Sequence, residues 1–194
     1  MNDNTLDNEP TLLISKIKKA FAKMKYPGDD NLVDNYSSEE LEYKEAFQRK
    51  DWRGLSLSFV CPQFSEMAFF SAQAFRYYLP GYMILCIQHL DEVDVMAPFL
   101  VGALTLPERG SIDWDVAKEL ELTPEEFESF AESENPSDQE LLKRQEWFHR
   151  RCDPLTLEQK QAVIAFLDWL TEYGQNCFDD EPEIAVKRYW GRYY

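Results

Sequence analysis

Hydrophobic positions recur at three- and four-residue intervals along most of the chain, the signature of amphipathic helices. Leu13, Ile17, Ala20, Phe21 and Met24 share one face of residues 11–25, while Lys16, Lys18, Lys19, Lys23 and Lys25 occupy the opposite face and its flanks. Pro27-Gly28 stops this pattern. Ser37-Ser38-Glu39-Glu40 has the form of a capping box, with Tyr36 and Leu41 placed to staple the entry of a helix reaching about Gln48. Leu55, Leu57 and Phe59 alternate with Ser56 and Ser58, a strand-like period of two. Helical patterning on both flanks favours irregular or helical structure there.

Farther along, Phe64–Tyr78 predicts one helix, and Pro80 reads as the first position of the next, where a missing N–H costs nothing. Tyr82–Leu90 is apolar nearly all round, which marks a central helix. Met96, Phe99, Leu100 and Ala103 continue the helical period until Pro107 and Gly110. Leu122-Thr123-Pro124-Glu125-Glu126-Phe127 is a strong helix start, and Ser137 with Glu140 opens another helix running to about Arg150. Thr156 and Gln159 form a further box before Val163, Phe166, Leu167 and Leu170, a wide apolar face that Gly174 ends. A last helix spans about Glu181–Trp190. The expected fold is all-α, a single globular bundle of about eight helices. Residues 1–54 read as an N-terminal helical appendage and 55–194 as the core domain.

Composition changes the picture in one respect: charge. The 194 residues hold 36 Asp and Glu against 20 Lys and Arg, a net charge of −16. With 44% hydrophobic residues the chain has enough apolar surface to fold, so disorder is excluded. The acidity argues against binding nucleic acid or anionic membranes. Met1–Pro10 lacks the basic and apolar regions of a secretory leader, and the longest apolar run, Gly81–Ile87, is far short of the roughly 20 residues of a membrane span. Cys61, Cys86, Cys152 and Cys177 are scattered, without a C-x-x-C pair. A soluble cytoplasmic protein with reduced thiols is expected.

Signatures of catalysis and of cofactor binding are absent, and no cofactor is expected: there is no phosphate-cradling glycine loop, nucleophile elbow or H-E-x-x-H. His89 falls in the last turn of the central helix, where an imidazolium meets the negative helix end. His149 and Cys152 have H-x-x-C spacing, but zinc needs three or four ligands and nothing nearby in sequence completes the set. The charge itself is the better lead. Residues 108–146 carry 13 acids against Arg109, Lys118, Lys143 and Arg144, so −9 of the total sits there. Glu121, Glu125, Glu128 and Glu132 fall on one helical stripe opposite Phe127, Phe130 and Ala131. Like charges at this spacing cost helix stability, and concentrated single-sign charge speeds capture of an oppositely charged partner. The stripe is the candidate docking face, and a basic protein the candidate partner. An enzyme with an inter-helix pocket that motifs do not reveal is the alternative. The helix that bears the lysine face of residues 16–25 is expected to pack on the bundle rather than to meet an anionic surface, and the aromatics of Lys187–Tyr194 to seal the core or make a self-contact.

Three segments resemble a known family: Phe75-Arg76-Tyr77-Tyr78-Leu79-Pro80-Gly81-Tyr82-Met83, then Leu155–Val163 running into Phe166-Leu167, then Tyr189-Trp190. They are similar to an uncharacterised bacterial family, a domain of unknown function whose members share a "YYLP" turn and an "LTxEQxxAVxxFL" helix. The likeness covers about Trp52 to Trp190, and it implies no catalytic residues. In size and acidity the chain also resembles immunity proteins of bacterial toxin systems. In this reading Leu79-Pro80 sets an entry turn.

Overall fold

A computed structural model describes residues 8–34, 37–93, 96–109, 136–174 and 181–194. Eight α-helices are found among them: α1 (Asn8–Ala20), α2 (Ser38–Phe47), α3 (Leu57–Val60), α4 (Ala72–Gln88), α5 (Met96–Ala103), α6 (Asp138–Cys152), α7 (Leu157–Tyr173) and α8 (Glu181–Arg188). Short 3-10 segments join several of them, notably Trp52–Gly54, Cys61–Phe69 and Trp190–Tyr193. Extended pairing among the described residues is limited to one isolated bridge, between Val33 and Phe70. The architecture is a single all-α domain.

Local chemistry starts the helices as the sequence implies. Ser37 accepts from the Glu40 N–H and Glu40 answers to the Ser37 N–H, and the same reciprocal box joins Thr156 and Gln159. At α6 only half the box forms. Ser137 accepts from the Glu140 N–H, while the Glu140 carboxylate pairs with Arg144 one turn on. Leu41 is exposed, and its stapling partner Tyr36 lies outside the described residues. Residues 57–69 are helical, as two short pieces, so the alternation of Leu55, Leu57 and Phe59 makes no strand.

The central element differs from expectation. One helix, α4, runs from Ala72 to Gln88 with Pro80 in its interior, so Leu79-Pro80 is neither a turn nor a helix start. A proline here removes the N–H that would reach the Arg76 carbonyl, a local cost of about 3 kcal/mol. Burial outweighs it: every residue from Tyr77 to Ile87 is buried. Gly81 then lets another segment cross closely, because a Cβ there would lie 2.7 Å from the Trp52 carbonyl oxygen and 2.8 Å from Leu55. The crossing segment is the 3-10 turn at Trp52, whose indole is itself buried.

Around α4 pack α1, α5 and α6, and α7 in turn packs on α1 and α8. Leu13, Ile17 and Phe21 of the N-terminal region are buried in this same core, beside Val163, Phe166, Leu167 and Leu170 of α7. The lysine side of α1 faces out: Lys16, Lys18, Lys19 and Lys23 are exposed. A second aromatic cluster closes the far end. Phe148, Tyr189 and Trp190 meet edge to face at 4.8–6.4 Å, and the fully buried Trp190 donates its Nε1–H to the Leu104 carbonyl at 2.7 Å. Tyr189 and Trp190 therefore seal the core, whereas Tyr194 remains exposed. Among the described residues no helix is long and apolar enough to cross a membrane.

Candidate functional site

The candidate docking residues Glu121, Glu125, Glu128 and Glu132 lie outside the described residues, in the stretch 110–135. That stretch holds nine acids against a single lysine, Lys118. The structure shows where its two ends are held. Arg109, on one side, pairs with Asp138 on the other. Glu108 pairs with Arg188 of α8 at 3.1 Å, and Gln145 of α6 donates to the Pro107 carbonyl at 2.9 Å. The described residues that flank the acidic stretch are thus tied to α6 and α8.

A different set of side chains converges where the first turn of α4 meets the end of α6, and it is basic. Arg151 is fully buried, although it is charged. It follows Phe148 by one helical turn, so the periodicity that buries Phe148 carries Arg151 inward as well. Its Nη2 donates to the carbonyls of Ala68 and Phe70 at 3.0 and 2.7 Å, while Nε and Nη1 find no hydrogen-bond partner among the described residues. The guanidinium lies over Trp147, 3.0 Å from the ring centroid, and over Phe75 at 4.5 Å. Burial, chiefly, pulls this guanidinium down to about 9, with the neighbouring Arg150 charge adding to the effect.

Arg76 is half-buried beside it. Its Nη1 donates to the Arg150 carbonyl at 2.6 Å, tying α4 to α6. Burial lowers its pKa as well. Asp34 stands 3.5 Å from Arg150. Between these elements opens a cleft of about 520 Å³, lined by Asp30, Asn31, Asp34, Ser71, Gln73, Arg76 and Arg150 among others. Lys44 engages Asp30 at 3.1 Å. Ser71 caps α4 by accepting from the Ala74 N–H, while its own hydroxyl donates to the Asn31 carbonyl at 2.6 Å.

The two histidines serve local roles. His89 caps the end of α4 with its ring Nδ1 3.0 Å from Glu92. His149 approaches Asp153 at 3.2 Å, and Asp153 also accepts from the buried Tyr189 hydroxyl at 2.6 Å. Burial opposes ionisation of Asp153, yet these hydrogen bonds prevail and hold its carboxyl below the ordinary value. Cys152, the other half of the H-x-x-C spacing, is fully buried, and burial pushes its thiol far up. No three His, Cys, Asp or Glu side chains among the described residues are grouped so as to hold a metal ion.

None of Arg76, Arg150, Ser71 and Gln73 stands out in the sequence as a site. Arg76 and Arg150 are 74 positions apart, so no spacing rule brings them together. Arg151 did carry a signal, since it falls on the Phe148 face of its helix, but basic residues in a last turn read first as dipole compensation.

Comparison with protein families places the chain. A family model, DUF6714, a family of unknown function, matches residues 10–130. The chain belongs to this family. The DUF6714 match takes in the lysine-bearing helix α1, as well as Phe75–Met83, and it ends before Leu155–Leu167 and Tyr189-Trp190. The family is therefore carried by the N-terminal two-thirds of the chain, farther towards the N-terminus than the Trp52–Trp190 likeness reaches. Arg76 of the cleft lies inside the DUF6714 region and Arg150 outside it. No curated protein and no solved structure matches the chain.

Proposed function

We propose that this DUF6714 protein is a non-enzymatic acidic module of the cytoplasm that binds a basic protein, in an immunity-like or regulatory role. The observation that carries the reading is the acidic stretch and the way it is held. Nine carboxylates against one lysine occupy 26 consecutive residues, and the ion pairs of Arg109 with Asp138 and of Glu108 with Arg188 hold both ends at one corner. Charge so concentrated raises the encounter rate with an oppositely charged surface and repels acidic competitors. The histidines and Asp153 are engaged in capping and cross-linking the fold, which suits a binding role better than an acid–base one.

The test is affinity capture from the native host at low and physiological salt, with the protein and with a variant carrying Glu121→Gln, Glu125→Gln, Glu128→Gln and Glu132→Gln. The expected result is a basic protein retained at low salt, released as the Debye length shrinks, and retained at least tenfold less by the variant. Equal retention by the variant, or a captured partner indifferent to salt, sinks the reading.

A further inference from the structure

We infer that the cleft between α4 and α6 is a binding site for the phosphate group of a small phosphate monoester, held by Arg76 and Arg150. This inference is independent of the protein-binding reading and uses a different surface.

The first argument is local charge. In a chain of net charge −16, the corner where α4 begins and α6 ends gathers three guanidinium groups, Arg76, Arg150 and Arg151. Of the two carboxylates that line the cleft, Asp30 is engaged by Lys44 at 3.1 Å, and Asp34 stands 3.5 Å from Arg150, beyond a strong charge-assisted bond. Arg76 is half-buried, spends one N–H on the Arg150 carbonyl, and pairs with no carboxylate among the described residues. Desolvated cations are costly unless paired, so this arrangement favours an anion from outside.

The second argument is shape. The cleft holds about 520 Å³, inside the roughly 300–1,000 Å³ of small-molecule sites. That is larger than a single inorganic ion needs, which leaves room for an organic group on the phosphate. Donors approach from different sides. Arg76 and Gln73 come from α4, and Arg150 comes from α6 across the cleft. A planar carboxylate is satisfied by one guanidinium fork, whereas a tetrahedral phosphate uses donors arriving from several directions and a charge near −2 matches two arginines.

Asp34 is the internal competitor. It stands beside the Arg150 guanidinium, so an incoming phosphate must take Arg150 from it.

The experiment is isothermal titration calorimetry of the full chain at constant ionic strength with inorganic phosphate, glycerol phosphate, acetate and chloride. Saturable binding of glycerol phosphate, several-fold tighter than inorganic phosphate and with acetate no better than chloride, is the expected pattern. Arg150→Gln, at a surface position, should weaken binding about tenfold, and Arg76→Gln at least as much. Asp34→Asn should tighten it several-fold, a gain that damage to the fold cannot imitate. Absence of saturable phosphate binding overturns the proposal, as does binding left unchanged by Arg150→Gln and Asp34→Asn. Acetate binding as tight as glycerol phosphate also overturns it, by making the site a carboxylate site.

Discussion

At the scale of single residues, Arg151 is the group on which the α4–α6 junction depends. Its planar head lies flat on Trp147 while one nitrogen reaches the carbonyls of Ala68 and Phe70, the latter buried. An ammonium carries the same charge but cannot lie flat on the Trp147 ring, and the shorter lysine stem does not bring its nitrogen to where Nη2 meets these carbonyls. Arg151→Lys is therefore expected to lower the unfolding free energy by about 2 kcal/mol, since buried carbonyls left without donors cost roughly 1–3 kcal/mol each. A urea denaturation midpoint checks it, and a midpoint unchanged within error would show that the charge alone matters. Residue-scale features divide cleanly by how local their causes are. The Thr156–Gln159 and Ser37–Glu40 boxes were legible because both partners sit three positions apart. The pairing of Arg76 with the Arg150 carbonyl was not, because only the packing of α4 on α6 creates it.

At the scale of elements, α4 shows a local rule overridden by its surroundings. Pro80 marks a helix start in isolation, yet the nearly continuous buried run on both sides of it keeps one helix intact. The apolar pattern of Tyr82–Leu90 was legible as a central helix, while its continuity back to Ala72 depends on neighbours the sequence does not order. Gly81 is the clearest of these dependencies. Gly81→Ala would gain roughly 1 kcal/mol of helix propensity. It would also drive a methyl to 2.7 Å from a backbone carbonyl that has no flexible side chain to yield. Overpacking of this kind costs about 1–3 kcal/mol or more, so net destabilisation is expected, read as a lower thermal midpoint. A midpoint equal to or above that of the parent protein would mean that the Trp52–Gly54 turn moves freely on α4.

At the scale of the whole molecule, several tyrosines couple stability to alkaline pH. Tyr78 donates its buried hydroxyl to the Phe47 and Lys50 carbonyls, and burial raises its pKa above the ordinary value. Burial, then the hydrogen bond to Asp29, pushes Tyr26 up to about 12. Burial and the bond to Asp153 raise Tyr189 too. Below about pH 10 these hydroxyls are protonated in folded and unfolded chains alike, and their contribution is fully present. Above it the unfolded chain loses protons that the fold retains, so stability falls as pH rises towards the folded values. Denaturant midpoints at pH 8, about 10 and about 11 should decline in that order, with tyrosinate absorbance appearing in step with unfolding. Flat midpoints across that range would mean that these hydroxyls reach solvent. The acidic stretch could be located in the sequence by counting, whereas the corner that holds its ends could not, since Arg109 meets Asp138 only after α5, α6 and α8 have assembled.

The antiparallel seating of α1 on α7 has a consequence for how this chain acquires its structure. Leu13, Ile17 and Phe21 are synthesised first and find their cover on a helix that begins some 140 positions later. Closing so long a separation is slow relative to local contacts, and an apolar face left waiting invites association with other chains. The stretch matched by the family model, 10–130, ends before α7 exists. Cut at those boundaries, the polypeptide would expose the α7-facing side of α1 to water and lack Phe148, Phe166, Leu167 and Trp190 from its interior. The stretch that carries the family relationship is thus shorter than the set of residues that closes this core.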